Sequence, residues 1–170
     1  NRIPDNYKVI LTKLDNGKEV DSRIVLELSQ MFRAARKDDI YMQVNEGYRS
    51  SHSQQKILDN RTDYYKSKGL FTILARRYAL NYVSAPGTSE HQLGLAVDIV
   101  GDYRYTTNQS AYRWLERNAY KYGFVKRYPK SKTSITHIKH EPWHYRYVGK
   151  KAALKMHQKN LCLEEYVESL

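Results

Sequence analysis

Residues 89–100 read SEHQLGLAVDIV, and no other segment of the chain constrains its fold so tightly. LAVDIV is its most apolar run, in a chain whose mean hydropathy is −0.78, and it has the look of a buried strand. Yet it carries a carboxylate, Asp98. An unpaired carboxylate in apolar surroundings costs several kcal/mol or more, so a cation must compensate it or it must take up a proton. Alternate residues of a strand share a face. Leu95, Val97 and Ile99 therefore form a core face, and Gly94, Ala96 and Asp98 line the other. That second face has the two smallest side chains and ends in an acid, which leaves room for a further group, and His91 lies just upstream.

The rest of the chain is expected to build an α+β fold: a small antiparallel sheet flanked by helices, in one domain over residues 1–170. Strand patterning marks 7–14, 40–46, 95–100 and 143–148, with Asp15-Asn16-Gly17 as a turn. Ile24, Leu28, Met31, Phe32 and Ala35 recur at helical spacing after a cap at Asp21 or Ser22, which predicts a helix to about Lys37. Further helices are expected from Ser50 or Ser51 to Lys68, over 71–83, over 109–122, and as one or two helices in 150–170. There is no repeat, linker or low-complexity tract, and no run long enough for a transmembrane helix.

A lone cysteine, Cys162, excludes an internal disulfide and any cysteine-built zinc cluster, and its place in Leu161-Cys162-Leu163 predicts a packed thiol. The formal charge of +11 and a pI near 9.6 favour anionic partners. The basic residues are scattered and form no arm, so they read as a solvated face with no nucleic-acid role, although sixteen tyrosines are available for stacking.

Of the six histidines, His91 and His144 have the strongest claim to a metal. In Glu141-Pro142-Trp143-His144-Tyr145-Arg146-Tyr147, strict alternation puts His144 and Arg146 on one face and Glu141 on the other. Pro142 interrupts that alternation, so Glu141 is expected in a bend from which it turns toward His144. Two imidazoles and one carboxylate are an ordinary set for catalytic zinc, whose fourth position holds a water that a nearby free carboxylate can deprotonate. His137 and His140, three residues apart, remain a rival pair, and a tyrosine-flanked surface histidine remains open for His144.

Taken together, these motifs resemble those of the VanY-like zinc D-alanyl-D-alanine carboxypeptidases. Ser89 through Asp98 matches S-x-H-x-x-G-x-A-x-D, Glu141 through His144 matches E-x-W-H, and Gly47-Tyr48-Arg49-Ser50 with Gln54 resembles G-Y-R-S-x-x-x-Q. The likeness runs from about residue 2 to 150 and extends to vancomycin-resistance dipeptidases, L,D-carboxypeptidases and the hedgehog signalling domain. It implies Zn2+ held by His91, Asp98 and His144, with Glu141 as general base and later proton donor. It implies that Arg49 stabilises the scissile carbonyl, that Ser89 holds the substrate terminus, and that Gln54 positions Arg49 or substrate. His140, next to Glu141 in a more basic run than relatives show, departs from the pattern. The implied protein is a monomeric, extracytoplasmic enzyme that trims the C-terminal D-alanine of peptidoglycan stem peptides among anionic cell-wall polymers. Because the chain begins at Asn1 rather than Met, a signal or anchor is expected on a preceding segment. An L,D-carboxypeptidase, a D,D-dipeptidase and a non-catalytic zinc-binding module stand as alternatives, and a base at Glu141 argues against the last.

Overall fold

The structure, a computed structural model, describes residues 2–4 and 6–170; Asn1 and Asp5 lie outside the described residues. Its elements run β1 (Leu11–Lys13), β2 (Glu19–Asp21), α1 (Val25–Lys37), β3 (Met42–Glu46), α2 (Ser51–Ser67), α3 (Thr72–Leu80), β4 (Ala96–Gly101), α4 (Asn108–Asn118), β5 (Phe124–Tyr128), α5 (Thr133–Thr136), β6 (Glu141–Tyr147), α6 (Lys150–Gln158) and α7 (Leu163–Glu168). β1 and β2 form a hairpin, and β3-β4-β6-β5 form an antiparallel sheet in that order. The α+β architecture expected from the sequence is the one observed.

Helix α1 follows a 3-10 turn over Ser22–Ile24, which Asp21 caps by accepting from the Arg23 N–H at 2.9 Å. Ile24, Leu28, Met31 and Ala35 are buried along one stripe and meet Val44, Val97, Ile99, Phe124 and Tyr145 of the sheet. Each large apolar side chain withdrawn from water here contributes about 1.5–3 kcal/mol, which makes this face the main source of stability. Val97 and Ile99 of β4 point into that core, so Asp98 between them points out of it. α2 is capped by Ser50, whose hydroxyl accepts from the Ser53 N–H at 3.1 Å.

Three expectations need correction. The strand predicted over 7–14 is confined to 11–13, and Tyr7 instead closes a turn onto the Pro4 carbonyl. The helix predicted over 109–122 ends at Asn118 and tightens into a 3-10 turn over Ala119–Tyr122. β5 has no counterpart in the sequence reading. Phe124 sits in the main core while Val125 packs with Ala153 and Met156 of α6, so both faces of the strand are covered and no period-two pattern survives. Cys162 is buried as expected and opens α7, where the Glu165 carboxylate accepts from its N–H at 2.8 Å. Among the described residues no helix is long and apolar enough to cross a membrane.

Candidate metal centre

The outward face of the sheet gathers the site. Strand pairing sets Glu46 of β3, Asp98 of β4 and His144 of β6 in one row across three strands. His91 enters from a 3-10 turn, Glu90–Leu93, that immediately precedes β4. Gly94 ends this turn at φ +67, and a Cβ there would meet Val9 at 2.9 Å and the Asp21 backbone at 3.0 Å. The small residue thus serves a tight turn against β2, not the space beside Asp98 that its place in the sequence suggested.

His91, Asp98 and His144 each offer one donor atom, and the three atoms lie within 4.8 Å of one another. Asp98 Oδ1 is 3.5 Å from His91 Nε2 and 3.0 Å from His144 Nδ1. Tetrahedral zinc with donors at about 2.0–2.2 Å separates neighbouring donors by roughly 3.4 Å, so these residues fit the ion. The rings meet edge to face, with centroids 5.0 Å apart. Both imidazoles are 5% exposed, which excludes the surface-histidine reading of His144. His91 Nδ1 lies 2.8 Å from the Gly47 carbonyl, so it carries the ring proton and leaves Nε2 free to ligate. The rival pair does not join them: His137 and His140 are exposed, and His140 Nδ1 bonds the Tyr128 carbonyl at 3.0 Å.

Burial alone would raise the Asp98 carboxyl, but hydrogen bonds to His144 and His91 outweigh it and hold Asp98 well below the usual carboxylate range. Burial disfavours a charged His144, yet Asp98 and Glu90 lift it to about 9 in the metal-free protein. Glu141 turns its Oε2 to 3.8 Å from His144 Nδ1. It does so from within β6 rather than from a bend before it. Lys126 pairs with Tyr145 but Tyr128 with Glu141, so β6 advances four residues while β5 advances two, and regular pairing is broken around Pro142. Burial and the Asp98 charge raise the Glu141 carboxyl above its ordinary value, although His144 draws it down.

Gly47 approaches β2 so closely that a Cβ would stand 2.2 Å from the Glu19 carbonyl, and the Arg49 N–H then donates to the His91 carbonyl at 3.1 Å. The guanidinium donates through Nη1 to Gln54 Oε1 at 3.0 Å and pairs through Nη2 with Glu46 at 3.3 Å, while its buried Nε has no hydrogen-bond partner among the described residues. Gln54 is 1% exposed, and its Nε2 donates to the Ser84 carbonyl at 2.7 Å. Ser89 is buried two residues before His91.

Sequence reasoning passed over Glu90, Arg127, Tyr128 and Glu164, which crowd the far side of His144. The Tyr128 ring lies 5.0 Å from the imidazole, and Arg127 Nε donates to Glu90 at 2.7 Å. Glu90 alone carried a signal, as a second acid in the stretch that holds His91 and Asp98.

An α+β sheet that holds two imidazoles and a carboxylate at this spacing, with a free carboxylate alongside, defines a mononuclear metal-site scaffold of the zinc-peptidase type. The chain belongs to the VanY family, D-alanyl-D-alanine carboxypeptidase, whose family model matches residues 17–150. It is 49% identical to a D-alanyl-D-alanine carboxypeptidase of Enterococcus faecalis (strain ATCC 700802 / V583), over 99% of this chain and 63% of that protein. The chain therefore spans less than two-thirds of that relative's length. The structure is similar to VanYB in complex with D-alanine-D-alanine, with a TM-score of 0.92 and 49% identity over 99% of this chain and 93% of that one. It is also similar to a glutamate-to-alanine mutant of the vancomycin resistance D,D-pentapeptidase VanY, from the VanB-type cassette, in complex with Zn(II); here the TM-score is 0.91 and the identity 50%, over 98% and 94% of the two chains.

Proposed function

We infer that the chain is a single-domain zinc D,D-carboxypeptidase that removes the C-terminal D-alanine of peptidoglycan stem peptides outside the cytoplasmic membrane. The observation that carries this reading is the buried His91–Asp98–His144 donor set with Glu141 beside it. His91, Asp98 and His144 would hold zinc, which when bound supplies Lewis acidity to the scissile carbonyl and to water. Glu141 takes a proton from the attacking water and returns it to the leaving amine, a task its raised pKa suits. Arg49, held by Gln54 and Glu46, directs positive charge at the carbonyl oxygen as it becomes anionic. Gln54, engaged at both ends of its amide, fixes Arg49 rather than touching substrate. Ser89, beside the metal ligand His91, suits the substrate terminus. The relatives' bound D-alanine-D-alanine and Zn(II) support the choice of substrate and ion.

The test presents a pentapeptide stem ending in D-Ala-D-Ala, its C-terminal amide and the tetrapeptide, with products identified by mass spectrometry. Loss of one D-alanine from the free pentapeptide alone is the expected result. Glu141→Gln should keep its zinc and lose about 10²–10⁴-fold in turnover. Equal cleavage of the amide would exclude an exopeptidase, and preference for the tetrapeptide would make it an L,D-carboxypeptidase.

A further inference from the structure

A run of alternating charge crosses the protein from its C-terminal helix to the metal centre. Arg127, on β5, donates through Nε to Glu90 Oε1 at 2.7 Å. Its two terminal nitrogens donate to the two carboxylate oxygens of Glu164, on α7, at 2.9 and 2.7 Å. Arg146 Nη1 adds a second cation 4.0 Å from Glu90 Oε1. The other Glu90 oxygen, Oε2, is buried and, among the described residues, without a hydrogen-bond partner; it faces His144 Nε2, likewise buried and without one among them, at 3.5 Å. The same strand steadies the imidazole from the side, because the Arg127 guanidinium lies 4.8 Å over the Tyr128 ring that contacts His144.

A neutral imidazole has one N–H and one lone pair. His144 Nδ1 lies on the side of Asp98, 3.0 Å from its Oδ1; were it to hold a metal ion, the N–H would lie on Nε2, where among the described residues Glu90 stands to receive it. We propose that Glu90 is the positioning residue for His144, and that Glu164 acts on the metal through Arg127 by holding the guanidinium that holds Glu90. The metal affinity then depends on α7, which lies beyond the 17–150 stretch of the family match. Arg127 is suited to this link because its planar fork engages two carboxylates at once, and at 10% side-chain exposure water competes little for it. Two acids and two guanidiniums cancel in charge. Neutralising either acid would leave positive charge directed through the imidazole at a bound cation. A merely structural reading has Glu164 pinning α7 to the sheet with no effect at the metal.

The inference rests on the zinc reading above. The test measures zinc affinity of the full chain by chelator competition, together with the visible spectrum of the Co(II)-loaded protein. Glu90→Gln should weaken zinc binding by about 10–100-fold. Glu164→Gln should weaken it several-fold and shift the Co(II) bands, while Glu164→Asp, which keeps the charge, should recover most of the loss. In the double variant the Glu164→Gln effect should vanish, because its route to His144 is already cut. Wild-type affinity in folded Glu164→Gln, or additive losses in the double variant, would overturn the link. If Glu164→Gln does not fold, Arg127→Lys takes its place in the same cycle, with the same non-additivity expected. Failure of the unaltered protein to bind zinc, or undiminished binding in His144→Ala, would instead overturn the zinc reading itself.

Discussion

His144 carries two opposing demands. Before the metal arrives it is held protonated to about pH 9, since Asp98 and Glu90 outweigh the burial that would discharge it. Zinc held at Nδ1, as proposed above, would need that atom's lone pair, so binding at pH 7.5 should release about one proton, a release that fades above pH 10. Calorimetry in buffers of different ionisation enthalpy reads that number directly. The same shift sets the stability of the metal-free protein. The folded pKa of His144 lies above its ordinary 6.5, so its stabilising contribution is complete below about pH 6.5 and is lost as pH climbs through 9. Glu90 is displaced the other way: burial pushes it up, but His144 and Arg127 hold it near 2, and its contribution is lost only as pH falls toward that value. Metal-free melting temperatures should therefore decline between pH 6.5 and 9.5, and a rise there would contradict the assignment. Arg49 makes a separate demand. Arg49→Lys keeps the charge but cannot span Gln54 and Glu46 at once as the planar guanidinium does. Steady-state kinetics should show kcat falling far more than KM changes; a pure KM effect would reduce Arg49 to a substrate tether.

At the scale of elements, the legible parts of the sequence were those with one buried face. α1 announced itself because a single stripe of it is covered, and β4 because an acid interrupts an otherwise apolar strand. β5 stayed hidden because Phe124 and Val125 enter different cores. The Pro142 irregularity was legible, but its form as a break in regular pairing was not, since that depends on the partner strand. The glycines of the site motifs were visible, whereas their cause was not: Gly47 and Gly94 are small because β2 presses against both. Gly94→Ala should accordingly destabilise the fold by about 2–3 kcal/mol through positive φ and overlap with Val9 and Asp21. Denaturant unfolding of the metal-free variant checks this, and a change under 0.5 kcal/mol, the usual ceiling for an inconsequential surface substitution, would refute it.

Across the whole molecule, the residues proposed to hold the metal and their support come from distant parts of the chain. Asp98 and His144 are 46 residues apart, and Arg127 is 37 residues from both Glu90 and Glu164. Pairings of that span leave no local periodicity, which is why the Glu164–Arg127–Glu90 run could not be read from the sequence while the contiguous His91–Asp98 motif could. The direct pairing of Asp98 with His144 across β4 and β6 also has a kinetic consequence. Two of the three donors come together only when the central strands have docked, which first requires closing a loop that separates them by 46 residues. An ion that meets its donors only after that closure cannot guide the chain toward the native state; it can only bar the way back. Zinc should leave the refolding rate nearly unchanged in stopped-flow experiments and slow unfolding by orders of magnitude, making the ion a latch on a structure that assembles without it.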